Sequence, residues 1–204
     1  MSLIPSEAVE AIRDAGRRLD ARGWVPATAG NISLRLDGAR VAITRSGFHK
    51  GFIPPDGVMA VDLDGRGEDS SLRPSAETGL HCGIYRHFSS ARAVLHGHSV
   101  AATVLSRRGG DTLPLAGYEL LKAFPGLPTH DATVHLPVLD NDQDITRLQA
   151  RVEQVWNAAP APLPGYVLRG HGVYVWAEDM PGALLRLEAL EFMLACELEA
   201  ARLR

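Results

Sequence analysis

Ala93-Val94-Leu95-His96-Gly97-His98-Ser99 places three apolar residues ahead of two histidines that a single glycine separates. Read as a strand, the run sends residues i and i+2 to the same face, so His96 and His98 project together with Gly97 leaving room beside them. Two neutral imidazoles on one face form a bite that suits zinc, which takes histidine nitrogen and favours four ligands. The competing reading is a pair of strand histidines with ordinary hydrogen-bond partners. The spacing alone does not separate the two.

The third candidate ligand is His171, in Gly170-His171-Gly172, at a break between the apolar runs 166–169 and 173–176. Glycines on both sides indicate close backbone approach or an unusual dihedral angle, a costly setting for a histidine that only fills space. Three histidines leave a fourth zinc position open, the form of a catalytic site. His49, His81, His87, His130 and His135 read as surface or hydrogen-bonded residues. His81 and His87 fall on a helix without a histidine at i+4, unlike the helical HExxH spacing.

Around these residues the chain alternates strands and helices. Residues 6–22 read as a helix that Ser6 caps and Gly23 stops, with Val9, Ile12, Gly16 and Leu19 on one face. Strands at 32–36 and 40–44 flank Asp37-Gly38, a strong hairpin signal. A strand at 58–63 follows. Pro74-Ser75-Ala76-Glu77 opens a helix to about residue 87, with Leu80 and Ile84 inward. The pattern continues with a helix at 99–107, a strand at 113–116, a short helix at 117–124, a strand at 133–139 and a helix at 144–156. A long helix from 181 to about 201, with Pro181 in its first turn, closes the chain. Hairpins together with strand–helix alternation predict one α/β domain: a central mixed, largely antiparallel sheet covered by helices on both faces.

Composition narrows the function. A chain of 204 residues fits one domain with a real core, and 46% hydrophobic and 22% charged residues are ordinary for a globular protein. A formal net charge of −3 gives no sign of a nucleic-acid or membrane-surface partner. Cys82 and Cys196 stand alone, outside any CxxC pattern, which argues for a reducing compartment. With no basic-then-apolar leader and no apolar run near ~20 residues, the expected location is the cytoplasm.

Two small-residue turns, Thr28-Ala29-Gly30-Asn31 and Ser46-Gly47, join Ser75 as a second constellation. Backbone amides at such turns and at a helix N-terminus bind phosphate, and hydroxyls add donors. Each piece is also an ordinary turn or cap on its own. Two carboxylates stand out beside them. Glu77 falls in the first turn of its helix, where the helix dipole favours negative charge. Glu119, in the largely apolar Gly117-Tyr118-Glu119-Leu120-Leu121-Lys122, reads either as a partly buried acid/base or as an exposed partner of Lys122.

Taken in order, Thr28-Ala29-Gly30-Asn31, Ser46-Gly47, Pro74-Ser75-Ala76-Glu77, His96-Gly97-His98 and Arg169-Gly170-His171-Gly172 resemble the class II, zinc-dependent sugar-phosphate aldolases and their adducin-head relatives. The resemblance spans residues 1–204 as one class II aldolase-like domain. It implies one Zn²⁺ per subunit on His96, His98 and His171, and a phosphate pocket built from Thr28, Gly30, Asn31, Ser46, Gly47, Ser75 and Lys50. It also implies a homotetramer with active sites between subunits and a small sugar phosphate as substrate. Further stretches, among them Trp24-Val25-Pro26-Ala27-Thr28 and Gly117-Tyr118-Glu119-Leu120-Leu121-Lys122, resemble a branch that dehydrates a ketose phosphate. That branch assigns proton transfer to Glu119, with Glu77 in the position of the aldolase acid/base. An aldolase or epimerase, and a non-catalytic adducin-type interaction domain, are the alternatives. One departure is Ala76, where many aldolases carry a second serine, and Thr28 or Lys50 is the expected replacement. His49 matches no family role.

Overall fold

The computed structural model describes residues 4–159 and 163–203. Eight strands form one sheet: β1 (Asn31–Arg35), β2 (Arg40–Thr44), β3 (Val58–Asp62), β4 (Ala93–Gly97), β5 (Thr112–Ala116), β6 (Thr133–Leu139), β7 (Tyr166–Leu168) and β8 (Gly172–Ala177). Their order is β3-β2-β1-β4-β8-β7-β6-β5. Every neighbouring pair is antiparallel except β6 with β7. This is the mixed, largely antiparallel sheet expected from the sequence. β5 tolerates Pro114 because it is an edge strand, where a missing amide donor breaks no inner ladder.

Strand periodicity divides the core into two layers. On one face Ala93 and Leu95 of β4 and Val173 and Val175 of β8 meet α1 (Ser6–Ala21), α3 (Val100–Ser106) and α5 (Met180–Arg202). On the other face Val94 of β4 and Tyr174 and Trp176 of β8 meet α2 (Thr78–His87) and α4 (Ile145–Ala158). His96 follows Val94 by two residues and so points toward the α2 face. Caps set several helix starts: the side chains of Ser99, Asp144 and Asp179 accept hydrogen bonds from Ala102, Arg147 and Gly182.

Three expectations are corrected. Ser6 does not cap α1: Pro5 takes the cap position, and Ser6 is already helical. α2 starts at Thr78, so Ser75 is no N-cap. Instead residues 74–77 form a turn in which the amide of Thr78 donates to the Ser75 carbonyl. β4 ends at Gly97, so His98 lies just past the strand, its amide donating to the Trp24 carbonyl at 2.6 Å.

Candidate metal centre

Four side chains from four parts of the chain converge at the end of β4. Glu77 closes the turn before α2, His96 is the last residue but one of the buried strand β4, His98 follows that strand, and His171 sits in the tight turn between β7 and β8. One ligand atom from each lies within 4.8 Å of all the others. His98 Nε2 is 2.8 Å from His96 Nε2, and His171 Nε2 is 2.9 Å from Glu77 Oε1. His96 is fully buried, while Glu77, His98 and His171 are partly buried. The pairing predicted from the HxH spacing holds, although His98 reaches the site from beyond the strand.

The donor set fits a cation. His96 Nδ1 donates to the Val173 carbonyl at 3.0 Å, which leaves Nε2 bare and facing the cluster. Burial pushes the His96 imidazole down to about 4 and that of His98 down to about 3, so both rings offer lone pairs at neutral pH. For Glu77 burial favours the neutral acid, but His96, His171 and the Asn31 amide outweigh it and hold the carboxyl below the usual range. Three imidazole nitrogens and one carboxylate are the ligand types that zinc and its neighbours accept. The centre can hold a metal ion.

Two glycines make the convergence possible. A Cβ on Gly172 would run into the carbonyl oxygen of Gly97 and come within 2.9 Å of His96 Cε1. Gly30 has a φ of +75°, and a Cβ there would lie 2.8 Å from the His96 carbonyl oxygen. Both backbones therefore press against the ligand strand.

The second constellation gathers on the Glu77 side. Asn31, 2% exposed at the start of β1, donates from Nδ2 to Ser75 Oγ at 2.9 Å and to Glu77 Oε2 at 2.6 Å. Lys50, equally buried, donates from Nζ to the carbonyls of Thr28 and Phe48, both at 2.7 Å, and so ties the 28–31 turn to the 46–49 loop. Burial pushes its ammonium down to about 8, against the attraction of Glu77. Ser46 is exposed, and its amide donates to the Arg73 carbonyl at 3.1 Å, bringing the Ser46-Gly47 turn beside the one that carries Ser75. Ala76 is exposed.

Glu119 does not join the cluster within one chain. It sits on a short 3₁₀ segment (Glu119–Ala123) with 68% of its side chain exposed, paired with Lys122 and 3.3 Å from His130. Of the two settings its sequence allowed, the exposed partner of Lys122 is the one found: the apolar neighbours Leu121 and Phe124 turn inward and leave Glu119 outward. Lys122 holds its carboxyl below the usual range. Two residues near the centre carried little signal in the sequence. Tyr174 stacks on His96, and His81 bonds to Asn31. The one clue was the i+4 spacing of Glu77 and His81, which puts them on one helical face.

A sheet of this order, covered on both faces and carrying a three-histidine, one-carboxylate centre, defines a class II aldolase-type domain. The chain belongs to the Class II Aldolase and Adducin N-terminal domain family, whose model matches residues 10–198. Within it, the chain is 60% identical over 193 residues to the methylthioribulose-1-phosphate dehydratase of Gluconacetobacter diazotrophicus, covering 94% of this chain and 93% of that one. It is 50% identical to the protein of the same name from Pseudomonas aeruginosa, over 97% of this chain and 96% of the other. Among solved structures, L-fuculose-1-phosphate aldolase from Thermus thermophilus matches with a TM-score of 0.76 at 25% identity, covering 96% of each chain. Among the described residues no helix is long and apolar enough to cross a membrane.

Proposed function

We infer that the chain is a hydro-lyase that converts 5-methylthioribulose 1-phosphate to 2,3-diketo-5-methylthiopentyl 1-phosphate and water, a step of methionine salvage. The observation that carries this reading is the identity of 50–60% over nearly the whole chain to proteins named methylthioribulose-1-phosphate dehydratase. The free thiols of Cys82 and Cys196 are consistent with a cytoplasmic enzyme.

His96, His98 and His171 would hold one Zn²⁺ per subunit, and the ion would supply Lewis-acid polarisation of the substrate's C2 ketone, which would acidify the C3 hydrogen. The chain's own groups do the rest. Thr28, Gly30, Asn31, Ser46, Gly47, Ser75 and Lys50 form the phosphate pocket, whose turns the Lys50 and Asn31 hydrogen bonds hold together. Glu119 takes the proton from C3 and returns it to the departing C4 hydroxyl, which leaves as water. The enol that remains gains a proton at C4, gives up the proton of its C3 hydroxyl, and becomes the 2,3-diketone.

Because Glu119 lies outside the cluster of its own chain, it serves the centre of a neighbouring copy in a tetramer. Exposed apolar side chains support such an assembly. Val100 is 68% exposed on α3, and Leu185 and Phe192, 56% and 55% exposed, lie on one face of α5. Glu77, pinned by Asn31 and His171, has the helper's role of completing the ring of donors and keeping its charge.

The deciding experiment is to give the zinc-loaded protein 5-methylthioribulose 1-phosphate and read the product by mass. Loss of one water supports the dehydratase. The fold shared with L-fuculose-1-phosphate aldolase favours a second reading, cleavage between C3 and C4, and a three-carbon phosphate product would establish it. The adducin-type reading as a non-catalytic domain fits poorly with a chain that keeps all three histidines.

A further inference from the structure

From Glu77 a line of hydrogen bonds runs away from the histidines into the interior. Asn31 bonds through Nδ2 to Glu77 and Ser75, and its Oδ1 faces His81 Nε2. His81 Nδ1 lies 2.7 Å from Ser33 Oγ, which in turn lies 2.8 Å from the Tyr85 phenol oxygen. His81 and Ser33 are fully buried, and Tyr85 is 1% exposed. Nothing in the reaction above uses His81, Ser33 or Tyr85.

The ends of the line fix the direction of each hydrogen in it. An ionised carboxylate only accepts, so Asn31 turns its amide nitrogen to Glu77 and its oxygen to His81. That oxygen also only accepts, so His81 carries its hydrogen on Nε2. Burial pushes the imidazole down to about 3, which leaves the ring neutral and Nδ1 bare. Ser33 therefore donates to Nδ1, and Tyr85 donates to Ser33. At the other end both Asn31 hydrogens are spent, one on Glu77 and one on Ser75. The Ser75 oxygen is thus an acceptor within the network, and its own hydrogen finds no acceptor among the described residues.

We propose that His81 is a positioning residue for anion binding: by locking the Asn31 amide in one orientation, it leaves the Ser75 hydroxyl to donate outward to a phosphate oxygen of the ligand. With the amide reversed, Asn31 would set its oxygen against the Glu77 carboxylate and draw the Ser75 hydrogen inward. Both the donor and the anchor of Glu77 would be lost. Histidine suits the position because a neutral imidazole offers one donor and one acceptor at opposite edges, here spanning Asn31 and Ser33. The proposal rests on the reading of the Ser75 turn as part of the phosphate pocket.

Two measurements test it. In protein labelled with ¹⁵N-histidine, the His81 ring should show a protonated Nε2 and a bare Nδ1 across the range of pH about 6 to 8. The opposite tautomer, or an imidazolium, overturns the proposal. Binding of inorganic phosphate, followed by calorimetry, is the second readout. Ser75→Ala and His81→Leu should each weaken it about tenfold, and the double variant should lose little more, because both remove the same donor. His81→Gln, whose amide can donate to Asn31, should stay within about threefold of the unmodified protein. Unchanged binding in Ser75→Ala, a partly exposed position whose loss leaves the fold intact, overturns the proposal, as do additive losses or an unmodified protein that binds no phosphate. A protein that keeps this phosphate pattern but releases no water from the substrate overturns the proposed reaction instead.

Discussion

The Tyr174 ring lies flat on the His96 imidazole, with centroids 3.9 Å apart and planes inclined by 12°. The two residues are register partners on β4 and β8, so the strand pairing itself delivers the stack. Together with the bond from His96 Nδ1 to Val173, the stack holds the ring with Nε2 toward the cluster. Tyr174→Ala should weaken zinc affinity about 10–100-fold and cost about 3–5 kcal/mol of stability through the cavity it leaves. Tyr174→Phe keeps the stack and should keep the metal. Zinc titration with a competing chelator separates the two, and equal affinity in both variants would remove the stack from the account.

Alanine at His96, His98 or His171 should abolish metal content and turnover together, since three imidazoles make up most of the donor set. Elemental analysis of the purified variants is the check. A variant that retained a full complement of zinc would refute that residue as a ligand.

Glu119→Gln should lower kcat by about 10²–10⁴-fold and leave zinc content unchanged, the usual size of a lost general acid–base. If the glutamate serves a neighbouring centre, co-assembly of Glu119→Gln chains with His96→Ala chains restores intact sites from two dead parents. In a ring formed from equal amounts of both, about a quarter of the wild-type activity should return. A mixture as inactive as its parents would place Glu119 and His96 in the same chain's site, or Glu119 in none.

Glu191, on α5, is 2% exposed, and burial pushes its carboxyl up to about 7, opposed by the neighbouring Ser99 hydroxyl. Between the ordinary carboxylate range and that value the folded chain holds a proton that the unfolded chain has released. Stability therefore falls as pH rises through this window, and above it the full penalty of a buried charge, at most about 3 kcal/mol, is in place. Glu191→Gln should be more stable than the unmodified protein at pH about 8 and flatten the dependence on pH. Urea unfolding at pH about 5.5 and 8 measures it, and an unaltered slope in the variant would rule out Glu191 as the source.

Much of this arrangement was legible from local pattern. Thr133–Leu139 has the bounds its residues predict, because alternation and flanking turns are local signals. His96 and His98 were found through their i, i+2 spacing, and His171 through its flanking glycines, of which Gly172 does press against the Gly97 carbonyl. What local pattern could not reveal was pairing across the sheet. The register that sets Tyr174 on His96 joins residues far apart in the chain, and neither residue type announces it. His81 was passed over for a similar reason: it lies on α2 while its partners Ser33 and Asn31 come from β1, and a histidine without a histidine at i+4 looks ordinary. For Glu119 the residues left two settings open. Apolar neighbours on a short helical segment do not say which side faces water, and Leu121 took the inner position.

The central place of β4 has a consequence for biosynthesis. Its two neighbours, β1 and β8, pair with it through Leu34 opposite Ala93 and Val94 opposite Trp176, contacts that span most of the polypeptide. His96 and His98 leave the ribosome long before His171, at a synthesis rate of about 5–20 residues per second. Until β8 docks, the nascent protein has two imidazoles and no closed ring of donors, too open a site to hold zinc firmly. On the proposed three-histidine ligation, metal capture has to wait for β8 to dock, and its rate would report how fast that strand finds its place.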